Sequence, residues 1–123
     1  DLVNAVLARE EIVEAGGAAQ VVFVSIDPER DTPEVVAEYV AAFGDDLIGL
    51  TGTSAQIAAA AEAYGAIYAK SPPADPEDPM SYEMVHSNYL DAVGPDARVL
   101  WRFPSQTPPG VVARRLRQMG SLS

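Results

Sequence analysis

The sequence predicts an α/β fold, a mixed sheet flanked by helices, on three observations. Helix and strand patterns alternate from the start as far as "AIYAKS". The run "QVVFVSI" is nearly unbroken in β-branched and aromatic residues, as in a strand buried on both faces of a parallel sheet. Two further strand patterns flank "GPDA", the signature of a hairpin.

Residues 2–15, "LVNAVLAREEIVEA", carry Leu2, Val3, Val6, Leu7, Ile12 and Val13 at helical spacing, and "GG" stops the helix. After the strand 20–26, "DPERDTPE" turns the chain, and Thr32 as N-cap with Pro33 at the first helical position opens a second helix. Its expected inner stripe is Val35, Val36, Tyr39, Val40 and Phe43, and Gly44 is the expected stop. "LIGLTG" over 47–52 reads as a strand. Thr53 and Gln56 make a capping box for an alanine-rich helix that Gly65 closes. "AIYAKS" reads as another strand. Four prolines in "PPADPEDPM" make 72–80 an extended loop. "YEMVHSNYLDAV" and "RVLWRF" are the hairpin arms, and a last helix spans 108–119. Residues 1–123 thus read as a single domain. A parallel crossover needs a strand before its helix as well as after it, so helix 2–15 leads to the expectation of a core strand before Asp1.

With 123 residues at 48% hydrophobic content, the chain has enough apolar surface for a core. No run approaches the about 18 apolar residues that a membrane helix needs. Net charge is −10, distributed as −15 over residues 1–97 and +5 over 98–123. Such an acidic chain is a poor nucleic-acid binder, because phosphate contacts need clustered positive charge. The arginines near the C-terminus fit a solvated helix face that complements the macrodipole; the other reading of them is a docking face.

The chemistry is concentrated in "PMSYEMVHSNYLDAV", which holds the only histidine, His86, in a chain without cysteine. On a strand, Met84 and His86 share a face, so a thioether and an imidazole can converge, a pairing suited to Cu(I). Methionine is also a common core filler, and a lone strand histidine reads as readily as a structural residue; from the residues alone both readings stay open. Asp27, Arg30 and Asp31 of "DPERD" read as structural: Pro28 fixes the turn, Asp31 and Thr32 compete to cap the next helix, and Arg30 pairs with a nearby carboxylate. No nucleophile–histidine–acid arrangement or phosphate loop is present, so no catalytic residue is assigned.

The segment "VVFVSIDPERDTPEVVAEYVAAFGDDLIGLTGTSAQIAAAAEAYGAIYAK" resembles the Sco/SenC family of thioredoxin-like copper proteins, through its D-P-x-R-D-T-P turn, Y-x-x-x-F helix and L-x-G-L-T-G strand. "VHSNYLDAVGPDARVL" resembles the family's second signature, a histidine, a strand and a G-P-D-G-like turn. The resemblance implies a thioredoxin-like fold, a mixed central sheet flanked by helices, whose first core strand and C-x-x-x-C pair would lie before Asp1. It implies a copper ion, Cu(I) or Cu(II), as cofactor, with His86 as the metal ligand that falls within this chain. Val85 stands where the family usually has Asp.

The function implied is a copper-binding assembly factor for the copper centre of cytochrome c oxidase. Its expected partner is the oxidase copper-site subunit or another copper chaperone. It would be exported to the periplasm or an equivalent space and held at the membrane only through a tether outside this chain. The alternatives are a thiol–disulfide oxidoreductase or peroxiredoxin-like protein on the same scaffold, and a cysteine-free relative acting as a binding module.

Overall fold

The computed structural model describes residues 2–86, 89–96 and 98–120. In chain order the elements are α1 (Leu2–Glu14), β1 (Val22–Val24), α2 (Pro33–Ala41), β2 (Ile48–Leu50), α3 (Ser54–Tyr64), β3 (Tyr68–Lys70), β4 (Met84–His86), β5 (Tyr89–Val93), β6 (Val99–Pro104) and α4 (Pro109–Gly120). Contacts divide the chain into two compact units. One holds α1, β5, β6 and α4; the other holds α2, α3, β3 and β4; β1 and β2 are each split between them.

Among the described residues the strands form three two-stranded sheets, β1–β2, β3–β4 and β5–β6. The bonds from Ile48 N to Val21 O (3.1 Å) and from Ser25 N to Leu50 O (2.9 Å) advance in the same sense along both strands, so β1 and β2 run parallel. The other two pairs are antiparallel, giving the mixed strand directions expected. Burial of the first strand on both faces is not observed: Val22 and Val24 are 49% and 43% exposed. A continuous apolar run shows that a strand tolerates burial, while the packing of other elements decides whether it is buried.

The first unit is built on small residues. α1 buries Ala5, Ala8 and Ile12, while Val3, Leu7 and Val13 of the predicted stripe are exposed. Ala8 packs with Ala92, Phe103 and Val112, with Leu90, Leu116 and Met119 around them. A helix approaches its neighbours most closely where its side chains are shortest, which is why the alanine row turns inward. The predicted stop is observed: Gly16 adopts φ +87°, and Gly16 N and Gly17 N donate to Val13 O (3.0 Å) and Ile12 O (2.9 Å), closing a Schellman motif. Asn4 Nδ2 donates to the carbonyls of Ser105 (3.3 Å) and Thr107 (3.4 Å), tying α1 to the segment that leads into α4.

In the second unit Thr32 caps α2, its Oγ1 accepting from Val35 N at 3.3 Å, with Pro33 in the first turn. Only Val36 and Val40 of the expected stripe are buried; Val35 and Tyr39 are exposed. The helix ends at Ala41 with Ala42 as its cap, two residues before Gly44. The capping box is complete: Gln56 N donates to Thr53 Oγ1 (3.1 Å), and Thr53 N donates to Gln56 Oε1 (2.9 Å). Gly65 closes α3 in the left-handed region at φ +68°.

One predicted element divides. "YEMVHSNYLDAV" is not a single hairpin arm: Met84–His86 pairs with β3, and only Tyr89–Val93 pairs with β6. Ser87 and Asn88, between them, lie outside the described residues, as does Ala97 of the predicted turn. Hydrophobic pattern marks extended chain but does not choose its partner, and here one extended stretch serves two sheets.

Candidate functional site

His86 is the last residue of β4 and is exposed; its Cα partner across the antiparallel pair is Tyr68. Met84, two residues earlier, is half-buried opposite Lys70. It lines a cavity of about 270 Å³ with Asp27, Ile57, Tyr68 and Lys70, and His86 is not among the lining residues. Val85 points the other way and is 65% exposed.

The carboxylates of "DPERD" do structural work, as expected. Asp31 Oδ2 accepts from Ser25 Oγ (2.5 Å), and Asp31 N donates to Asp27 O (2.9 Å), leaving the α2 cap to Thr32. Arg30 Nε pairs with Asp27 Oδ2 at 2.5 Å.

The pattern did not single out Tyr82, which is 1% exposed and among the largest fully buried side chains. Its Oη donates to Asp27 Oδ1 at 2.6 Å. The guanidinium of Arg30 lies 4.1 Å from the centre of the Tyr82 ring, and Arg30 Nη1 donates to the Tyr82 carbonyl at 2.8 Å. Lys70 Nζ lies 4.2 Å from the same ring centre and is paired with Glu29 at 2.8 Å. Burial alone would raise the Asp27 carboxyl, but hydrogen bonds from Tyr82 and Arg30 and the positive charge of Arg30 outweigh it, and its pKa is lowered. Burial, followed by the bond to Asp27, pushes the Tyr82 phenol up to about 12. One signal for this was available: a carboxylate directly after an apolar strand needs donors if it is buried, although nothing in the sequence names a donor 55 positions away.

Among the described residues, no three His, Cys, Asp or Glu side chains come together as a metal-binding group. His86 offers one imidazole, and Met84 a thioether two residues away in the same strand.

The sequence model of the family described as SCO1/SenC matches residues 1–121. The chain belongs to the SCO1/SenC family. It is 40% identical over 91 residues to the human mitochondrial SCO1 homolog, covering 74% of this chain and 29% of that protein. It is 44% identical over 69 residues to SenC of Rhodobacter capsulatus, covering 56% of this chain and 31% of the relative. The chain therefore spans under a third of the length of these curated relatives. The crystal structure of Arabidopsis thaliana ScoI with copper bound superposes with a TM-score of 0.88 at 28% identity, covering 99% of this chain and 73% of that one. The fold class is thus α/β and thioredoxin-like, as in its SCO1/SenC neighbours.

Proposed function

We propose that the protein containing this chain carries copper as its cargo and serves as an assembly factor for the copper centre of cytochrome c oxidase. His86 supplies one imidazole ligand. Two thiolates from a C-x-x-x-C pair, which these 123 residues do not contain, supply the soft donors. Transfer would proceed by ligand exchange, in which a donor of the acceptor replaces His86 or a thiolate one bond at a time. The acceptor is the oxidase copper-site subunit or another copper chaperone. The protein would face the periplasm or an equivalent space from a membrane tether outside this chain.

The observation that carries the reading is family membership across nearly the whole chain, together with copper bound in a relative of 28% identity. The exposed position of His86 at the end of β4 supports it, because a ligand that hands its metal on must be reachable by the acceptor.

The test is His86→Ala in the full-length protein, titrated with Cu(I) and Cu(II) against competing chelators. Two thiolates still hold Cu(I) in linear geometry, whereas Cu(II) favours nitrogen ligands and a higher coordination number. Cu(II) affinity should fall by more than about tenfold while Cu(I) affinity changes little. Stability should change by no more than about 1 kcal/mol, since the residue is exposed. Unchanged Cu(II) affinity would refute the assignment.

A further inference from the structure

We infer that Tyr82, held by Asp27 and Arg30, is a positioning residue that fixes where β4 lies and so where His86 presents its imidazole. The copper consequence rests on the reading of His86 as a ligand; the placement of β4 does not.

The contacts close a ring. Tyr82 stands two residues before β4, and its side chain is anchored to the strand-to-helix turn through Oη to Asp27 Oδ1 at 2.6 Å. Its main chain is anchored to the same turn, because Arg30 Nη1 donates to the Tyr82 carbonyl at 2.8 Å. Arg30 is itself fixed by Asp27 at 2.5 Å. On the next residues, β4 is zipped to β3 in the register Lys70–Met84 to Tyr68–His86, and Lys70 returns to Tyr82 with its ammonium 4.2 Å from the ring centre. Glu29, also in the turn, pairs with Lys70 at 2.8 Å.

A three-residue strand at the end of a proline-rich loop has few bonds of its own to set its position. Here both the chain entering β4 and the strand paired with it are pinned to residues 27–30. The preceding loop is bonded chiefly to itself: Ser81 Oγ donates to Asp78 O at 2.7 Å, and Asp75 N donates to Ser81 Oγ at 2.9 Å. Arg30 reaches out of the turn to it, with Nη1 at 3.5 Å from Met80 O. The Ser71–Glu83 pair continues the β3–β4 pairing, with Ser71 N donating to Glu83 O and Glu83 N to Ser71 Oγ, both at 2.8 Å, and Tyr82 beside it ties the end of the loop to the turn. An imidazole displaced by about 1 Å no longer meets a metal at bonding distance, so a residue remote from the copper can govern its binding.

The test compares wild type, Tyr82→Phe, Arg30→Lys and His86→Ala in the full-length protein. Amide hydrogen exchange is read at residues 84–86, and Cu(II) is read by its EPR spectrum and affinity. Tyr82→Phe keeps the ring and its stacking and removes only the bond to Asp27. Arg30→Lys keeps the charge and removes the fork that joins Asp27 to the Tyr82 carbonyl. Both should speed exchange at residues 84–86 by about tenfold relative to α3 amides, the equivalent of one lost charge-assisted bond. Both should also change the Cu(II) hyperfine pattern and weaken Cu(II) severalfold without changing Cu(I) affinity. A merely structural Tyr82 would speed exchange at residues 84–86 no more than at α3 amides and would leave the Cu(II) spectrum as it was. Unchanged relative exchange at residues 84–86 in both variants overturns the inference. If His86→Ala leaves Cu(II) binding intact, the ligand reading fails on its own, and the exchange data still decide whether Tyr82 positions β4.

Discussion

Tyr82 and Asp27 set opposite limits on the pH range over which their bond contributes to stability. The phenol has its pKa raised to about 12 from an ordinary 10, by burial and then by the bond to Asp27, so folding favours its neutral form. Its contribution is full below pH 10 and is lost as pH rises toward about 12. The Asp27 carboxyl is lowered from 3.8, so its contribution is present above that value and is lost as pH falls below it. Urea midpoints of wild type and Tyr82→Phe should therefore differ at pH 7 and converge between pH 10 and about 12. A gap that stays constant across that range would show that the phenol is not buried in its neutral form. Residue-level reading of the sequence reached part of this arrangement. Arg30 was legible as the partner of a carboxylate because the two lie three positions apart, within one turn. Tyr82 was not, because its partner comes from a distant segment and only the folded chain brings them together.

At the level of elements, the punctuation was more legible than the packing. The Thr53–Gln56 capping box, Thr32 with Pro33, and the glycine stops after α1 and α3 are local bonds made by residues a few positions apart, so the sequence contains all of their terms. Which face turns inward depends on what lies opposite. Gly49 of β2 shows this: a Cβ there would stand 2.6 Å from Val36 Cγ1 and 3.0 Å from Val40 Cγ1. The bare backbone is what lets the i, i+4 row of α2 sit down on β2, and it explains why Val36 and Val40 are buried while Val35 and Tyr39 are not. Gly49→Ala should destabilise by about 1–3 kcal/mol through overpacking, measured by urea unfolding. Thr53→Ala, which removes one half of the capping box, should cost about 1 kcal/mol. A Gly49→Ala protein as stable as wild type would mean that α2 moves off the strand freely. The division of "YEMVHSNYLDAV" into β4 and β5 belongs to the same lesson, since strand pairing is a tertiary choice.

For the molecule as a whole, the SCO1/SenC family was legible because long motifs lie in a fixed order across most of the chain, a signal that no single residue carries. The charge partition was also legible. Arg102 forms a two-bonded pair with Asp91 at 2.8 and 2.9 Å, Arg115 stacks over Trp101 at 4.5 Å, and Arg114 and Arg117 are exposed on α4. No described helix is long and apolar enough to cross a membrane. The proposed activity concentrates on His86, the one histidine of the chain, and on its display at the end of β4. Pulsed EPR of the Cu(II)-loaded full-length protein reads the nuclei bound to the metal directly. A histidine nitrogen modulation present in wild type and absent in His86→Ala is the result expected, and a modulation that survives the substitution unchanged would contradict His86 as the ligand.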